Sequence, residues 1–349
     1  MAVITIVGAG MMGSALAFPA AENGHEVRLT GTPLDREIIG TCRRTGRHPK
    51  FEKDFPEGVT YYQTEETDEA LRGADLVIGG VSSFGVDWFG EEILPRIAEG
   101  TPVLTVTKGL IDCPDGTLLP YPVFWQRKLD ALGKQLPLCA VGGPCTSYEL
   151  VAHDQTEVTY CGRDREVLRR VREWMRTDYY HISLSTDVTG IESAVALKNG
   201  YALGIALTIG LNRRAFGPES PLHYNSQAAV FGQASREMAS LMKMQGAEDP
   251  YSLWVGLGDL YVTVYGGRTR LVGILLGEGK TPAEAKEELK GVTLESLVVA
   301  ERVARAVRVR ASRGPADLRD YPLLMHVDDL LAGRKDAAIP WESFTYEHF

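Results

Sequence analysis

The sequence predicts an α/β chain, with a doubly wound parallel sheet in its first half and an all-α domain in its second. Three observations carry this expectation. Short β-branched runs recur at βαβ intervals up to about residue 185, and the first of them ends in the glycine-rich turn Gly8-Ala9-Gly10-Met11-Met12-Gly13. From about Gly190 the pattern becomes helical, and Ile191 to Leu211 carries only Glu192 and Lys198 as charges. At 349 residues the chain exceeds one ordinary domain, so the reading is two domains, 1–185 and 186–349.

The first run, Ala2 to Val7 (AVITIV), leaves no room for polar alternation, as expected of a strand buried on both faces of a parallel sheet. GxGxxG follows it and opens a helix expected over Ser14 to Ala21. In that strand–turn–helix setting the first glycine makes the tight turn and the second lets backbone approach a pyrophosphate. The third lets helix and strand pack, and the helix N-terminus offers its dipole to phosphate. Gly8, Gly10, Met11, Met12 and Gly13 are therefore the expected cofactor turn of a dinucleotide-binding Rossmann domain. The next strand, Glu26 to Thr30, ends without the Asp or Glu that often holds an NAD ribose; Gly31-Thr32-Pro33 follows, then Asp35 and Arg36. Thr32 and Arg36 are candidates to contact a 2′-phosphate. NAD and NADP both stay open as cofactor, and turnover with NADPH is expected.

Further strands are expected at Asp75 to Val81, Pro102 to Val106, Leu138 to Val141, Glu157 to Tyr160 and His181 to Leu184. Ligands of such sheets bind beyond the carboxyl ends of strands, where Thr107-Lys108-Gly109 and Gly142-Gly143-Pro144-Cys145 fall. No motif pairs Cys145 with a histidine, so it is not read as a nucleophile. In the helical half, Lys198 sits with Asn199 on an apolar run. A lysine facing the interior there loses hydration and needs a partner or a task; near other cations it becomes usable as a proton donor and acceptor. Gly256-Leu257-Gly258-Asp259-Leu260 and Gly266-Gly267-Arg268-Thr269-Arg270 form a second constellation. Arg268 offers a planar fork for phosphate, and Asp259 is suited to pair with a lysine ammonium.

Composition narrows the function classes. A net charge of −9 gives no general attraction to nucleic acid or to an anionic membrane surface, so an anionic small ligand must be caught by a local basic site. Five cysteines without a CxxC pair read as reduced thiols, with no metal site expected. Met1 to Ala21 is uncharged but lacks a basic leader and is broken by glycines, so the expectation is a cytoplasmic protein with an intact N-terminus and no membrane insertion. Near the other end, Thr281-Pro282-Ala283-Glu284 reads as a capping box and Gly291 as the stop of that helix. Thr293 to Val309 reads as an amphipathic helix whose Arg302, Arg305, Arg308 and Arg310 form a solvated face. The aromatic tail with Trp341, Phe344, Tyr346 and Phe349 is suited to dock on a core or a partner subunit.

The motifs together carry a resemblance. GAGMMG, TKG at 107–109, GGP at 142–144, ALKN at 196–199, NSQAA at 225–229, GLGDL at 256–260, then GGRTR and LGEG keep one order and spacing from the first turn to about Ala306. In these the chain resembles the soluble NAD(P)-dependent glycerol-3-phosphate dehydrogenases. The resemblance implies an N-terminal Rossmann domain, a C-terminal helical domain like that of 6-phosphogluconate dehydrogenase, a homodimer, and a place in carbohydrate metabolism and phospholipid synthesis. It implies interconversion of sn-glycerol 3-phosphate and dihydroxyacetone phosphate by hydride transfer, with Lys198 as general acid/base and Lys108 and Asp259 completing the charged site. By motif, Asn199, Thr263 and Arg268 fall at the substrate, and Glu295, loosely aligned, near the cofactor, as do Ser82, Phe84 and Lys108.

Departures from the family pattern cluster near the substrate. Asn225-Ser226-Gln227 lacks a cation the family usually has, Thr269 replaces an asparagine, Thr146 and Ser147 add hydroxyls, and Ser82-Ser83-Phe84 replaces Pro-Ser-Gln or Pro-Ser-His. Gln227 and Thr269 are thus candidate substrate contacts. They leave two alternatives open at this point: the same chemistry on a longer polyol phosphate or other 2-keto phosphate, and a cofactor-binding sensor without catalysis.

Overall fold

The computed structural model describes residues 1–290 and 294–344; the side chains of Glu295 and Ser296 also lie outside the described set. The expectations placed on Gly291, Thr293, Tyr346 and Phe349 lie outside it as well. By internal contacts the chain forms two compact units, Met1–Lys108 with Pro120–Glu192, and Gly109–Leu119 with Ser193–Phe349. The segment 109–119, which a single cut at residue 185 leaves in the first domain, thus packs with the second.

The first unit is built on an eight-stranded sheet. Its strands are β1 (Val3–Val7), β2 (Glu26–Thr30), β3 (Val59–Tyr62), β4 (Leu76–Gly79), β5 (Val103–Thr105), β8 (Leu138–Gly142), β9 (Thr156–Gly162) and β10 (Tyr180–Ser185), while β6 (Leu110–Asp112) and β7 (Leu118–Pro120) form a separate two-stranded sheet. The order is β10-β9-β8-β5-β4-β1-β2-β3, and every neighbouring pair is parallel except β8 with β9. From β3 to β8 this is the doubly wound order, which reverses between β1 and β4 and opens a crevice at their carboxyl ends. Ile4, Ile6 and Val7 of β1 are fully buried, as the unbroken apolar run requires.

Seven strands fall on the runs expected of them. The eighth, β3, pairs with β2 at the sheet edge with Thr60 exposed and Val59, Tyr61 and Tyr62 half-buried, so it carries no continuous apolar run to betray it. The helix expected over Ser14–Ala21 is instead two, Met11–Ala15 and Ala17–Glu22. Pro19 accounts for the break. Without an N–H it cannot bond back to Ala15, and it is tolerated because it falls in the first turn of the second helix.

The second unit packs helices around Val188–Phe216, a 29-residue helix. That helix is long and apolar enough to cross a bilayer, but 83% of its most apolar window is buried, which makes it the core helix of the fold. Tyr201, Leu203 and Leu207 pack with Met238, Leu241, Leu260, Val303 and Leu323 of the surrounding helices. One carboxylate lies within this core. Glu237, 1% exposed, accepts hydrogen bonds from the Tyr201 hydroxyl (3.1 Å), the Gln233 amide (2.6 Å) and the backbone N–H groups of Leu323 (2.8 Å) and Leu324 (3.0 Å). The last two are orphan donors in the first turn of the Pro322–Leu331 helix, so Glu237 caps that helix from a different one, Tyr224–Gln245.

The capping box forms as expected, with Thr281 N–H on Glu284 Oε2 at 2.8 Å and Glu284 N–H on Thr281 Oγ1 at 3.2 Å. The arginines of the Glu295–Ser312 helix remain partly exposed, Arg305 at 61%, yet they also hold partners on other elements. Arg302 donates to Leu110 O (3.1 Å), Arg305 grips Asp112 with two nitrogens (2.5 and 3.2 Å) and Arg310 donates to Gly116 O (2.9 Å), which lashes the β6–β7 hairpin to the helix. Arg308 pairs with Asp328 and Asp329. A charge run at a helix end looks the same in sequence whether water or a hairpin satisfies it.

Candidate active site

In the first unit the glycine turn lies where β1 and β4 end side by side, with Val7 in register with Gly79. Gly8 has φ +109°, and a Cβ there would lie 2.8 Å from the backbone of Gly80. A Cβ on Gly13 would lie 2.5 Å from Gly8 O, so both glycines are demanded by the protein itself. Gly10 differs. A Cβ there would meet nothing nearer than Gly80 O at 3.6 Å, an ordinary contact, so the open space over Gly10 suits an approaching ligand backbone. The Met11–Ala15 helix begins at this point, and no side chain caps its N-terminus. A cradle with two glycines locked and one left open fits a pyrophosphate.

Gly10→Ala is therefore expected to melt as the wild type does while binding NADH at least about tenfold more weakly, a cost near 1.4 kcal/mol; thermal melts and a fluorescence titration check this. Equal affinity would remove Gly10 from the cradle.

Around the turn, the structure places an acid the spacing did not assign. Asp35 Oδ2 accepts from Ala9 N–H (3.1 Å), Thr32 N–H (2.9 Å) and the Thr32 hydroxyl (2.8 Å). Thr32 is thus engaged with Asp35, and the exposed Arg36 pairs with Glu65. His48, also missed, holds Ala9 from the other side, with Nε2 3.1 Å from Ala9 O. Asp35 lies 26 residues and His48 39 residues from Ala9, and no periodicity links them. Beyond β4, Ser82 precedes the short turn Ser83–Gly85 and Phe84 is exposed. Lys108 reaches from the end of β5 to the loop after its neighbour β8, donating to Gly143 O at 2.9 Å. The TKG and GGP motifs therefore meet. Glu295 opens a helix, but its side chain lies outside the described residues.

In the second unit Lys198 donates to the Asp259 carboxylate. The Asp259 side chain is 1% exposed and that of Lys198 12%. Gly256 explains how two residues 61 apart in sequence meet: a Cβ on it would lie 2.6 Å from Ala194 Cβ. The Val188–Phe216 and Tyr251–Gly266 helices touch there, and one turn further on each, Lys198 and Asp259 face one another. Asn199 is half-buried beside Lys198. Thr263, one turn beyond Asp259, returns its hydroxyl to Asp259 O at 2.7 Å. It packs under Gly267, where a Cβ would lie 2.5 Å from Thr263 O. Arg268, exposed, follows as the cap of the Thr269–Gly277 helix, with Thr269 buried in its first turn. Thr263, Arg268 and Thr269 are thus brought together. Gln227 is not joined to them: it is buried in the first turn of the Tyr224–Gln245 helix, donating weakly to His223 O at 3.4 Å.

Comparison with known proteins matches this geometry to one family. The description "NAD-dependent glycerol-3-phosphate dehydrogenase N-terminus" fits residues 3–168, and the corresponding C-terminus fits residues 187–340. An NADP(+)-dependent glycerol-3-phosphate dehydrogenase of Archaeoglobus fulgidus is 33% identical over 307 residues, covering 87% of this chain and 89% of that one. The chain belongs to the NAD-dependent glycerol-3-phosphate dehydrogenase family. A further relative, the glycerol-3-phosphate dehydrogenase [NAD(P)+] of Citrifermentans bemidjiense, is 30% identical over 83% of each chain.

The fold of this glycerol-3-phosphate dehydrogenase family member is shared with the glycerol-3-phosphate dehydrogenase of Coxiella burnetii, at a TM-score of 0.79 and 23% identity over 98% of this chain and 97% of that one. A ketopantoate reductase of Ralstonia eutropha shares it more distantly, at a TM-score of 0.58 and 16% identity, covering 95% of this chain and 99% of that one. The expected Rossmann-plus-helical architecture and the NAD(P) family assignment both hold.

Proposed function

We propose that this chain interconverts sn-glycerol 3-phosphate and dihydroxyacetone phosphate with NAD or NADP. The observation that carries the reading is the buried Lys198–Asp259 pair one turn from Thr263 and near the Arg268 helix cap. When bound, the nicotinamide supplies or accepts the hydride. Lys198 delivers the proton to the ketone oxygen as it becomes an alkoxide, and in the other direction takes it away. Asp259, fixed in the helix and buried, holds the ammonium in place. Arg268 at the cap of the Thr269–Gly277 helix receives the phosphate, with two charge-assisted donors in a fixed fork. Lys108, the lysine of the TKG motif, is held on Gly143 O at 2.9 Å.

Purified protein assayed with NADH and NADPH on dihydroxyacetone phosphate and on four- and five-carbon keto-sugar phosphates tests this. The highest kcat/KM is expected on the triose phosphate. A better longer substrate overturns the substrate assignment, and cofactor binding without any turnover overturns catalysis.

We further read the protein as a cytoplasmic homodimer. Tyr251, Trp254, Tyr261 and Tyr265 are exposed along one face of the Tyr251–Gly266 helix, opposite buried Asp259 and Thr263, and such an aromatic stripe suits a second copy. None of the five cysteines, all among the described residues, is in a disulfide, and burial pushes the Cys42 and Cys139 thiols up to about 11 and about 12, as suits a reducing compartment. Sedimentation at twice the chain mass checks the dimer.

A further inference from the structure

We propose that His48 is a positioning residue for the cofactor turn: with Asp35 it holds both backbone polar groups of Ala9, one in each of the two peptide units that meet there, and so fixes the backbone that receives the pyrophosphate. The inference rests on reading that turn as the cofactor cradle. Ala9 stands between two glycines, the most permissive neighbours a peptide can have, so its orientation needs external support. That support is complete. Asp35 accepts the Ala9 N–H at 3.1 Å, and His48 Nε2 lies 3.1 Å from the Ala9 carbonyl oxygen.

The surroundings decide the direction of the second bond. Lys50 N–H lies 3.1 Å from His48 Nδ1, and because a backbone N–H only donates, Nδ1 is the acceptor. The single ring proton is then on Nε2, where it donates to Ala9 O. The ring is 1% exposed and packs on Phe51 at 4.6 Å between centroids; Phe51 in turn meets Phe18, on the second helix after the turn, at 6.1 Å. An imidazole so enclosed cannot swing away. Burial holds His48 below its ordinary pKa, opposed by its bond to Ala9; of the charged groups facing it, Lys50 lowers it further and Asp35 raises it. It is therefore neutral at neutral pH, the form that both hydrogen bonds require.

His48 touches no reacting atom in this scheme, so its effect belongs to cofactor affinity and not to the chemical step. The test is a fluorescence titration of full-length wild type, His48→Leu and His48→Gln with NADH and NADPH, alongside melting curves and kcat at saturating cofactor. His48→Leu, which fills the space without donating, is expected to raise the cofactor Kd at least about tenfold, with kcat kept within about threefold. His48→Gln, which retains a donor and an acceptor, is expected to return the Kd to within about threefold of wild type. Wild-type affinity in His48→Leu, a loss confined to kcat, or a folded His48→Gln as weak as His48→Leu would each overturn the proposal.

If His48→Leu does not fold, His48→Asn takes its place. Its amide is one methylene shorter than that of Gln, so a Kd at least about tenfold above that of His48→Gln is expected, and equal Kd values overturn the proposal. A wild-type protein that binds neither cofactor would instead overturn the reading of the turn itself.

Discussion

Lys198→Ala is expected to lower kcat by about 10²- to 10⁴-fold, the range of a positioned proton-transfer group. The argument is geometric. Lys198 is the charged end of a helix position that is otherwise core, and its ammonium donates to a carboxylate that is itself 1% exposed. Proton transfer from such a pair requires no reorganisation of solvent, because the protein has already oriented the donor. Lys198→Arg separates charge from proton transfer: it keeps a cation opposite Asp259 but cannot give up its proton near neutrality, so it is expected to be as slow as the alanine variant. Steady-state assays on the triose phosphate, with circular dichroism to establish folding, check both. Near-wild-type turnover in either folded variant would remove Lys198 from the reaction.

Glu237→Ala is expected to destabilise the protein by about 3–5 kcal/mol, the largest structural effect of any single truncation considered. Four donors converge on that carboxylate, two of them backbone N–H groups at a buried helix start, and removing it strands them away from water. Glu237 also makes stability depend on pH. Burial pushes its carboxyl up from 4.5 to about 6, outweighing the opposing bonds from Gln233, Leu323, Leu324 and Tyr201. An acid whose folded pKa is raised stabilises the fold fully below its unfolded pKa, and that contribution is lost as pH rises through the folded value. The window is therefore about pH 4.5 to 6, and the loss is on the order of 2 kcal/mol. Glu237→Gln does not titrate, so the advantage of wild type over it should be greater at pH 5 than at pH 8. Urea unfolding at the two pH values measures the gap, and a constant or inverted gap contradicts the assignment.

Much of this architecture was legible in the sequence wherever burial imposes a pattern. β1, β4 and β5 are buried on both faces and read as unbroken apolar runs, and the glycine turn is legible because only glycine fits at Gly8 and Gly13. Lys198 stood out because an ammonium on an apolar run demands a reason, and its pairing with Asp259 follows from Gly256 lying against Ala194. The edge strand β3, half in water, had no such pattern.

Asp35 and His48 were illegible as contacts for a different reason: each meets Ala9 through a single hydrogen bond across a loop, and such bonds leave no periodicity. Thr32 and Arg36 stood out by position as phosphate ligands, and what position did not show is that the Thr32 hydroxyl meets Asp35 and that Arg36 forms an exposed ion pair with Glu65. Position along a chain shows where a side chain begins, and neighbours distant in sequence decide where it ends.

The β6–β7 hairpin bears on how the chain is made. Its partners Arg302, Arg305 and Arg310 lie 192 to 194 residues further along. At about 5–20 residues per second, a ribosome emits the hairpin about 10–40 s before the helix that clasps it. Strands β1 to β5 are already made by then and β8 to β10 follow within that interval, all free to pair, while Leu110 and Leu118, both buried in the finished protein, await their cover. Biogenesis of this enzyme therefore includes a stage at which a sticky apolar loop stands in water without its cover, and nascent-chain chaperones would find their opportunity there.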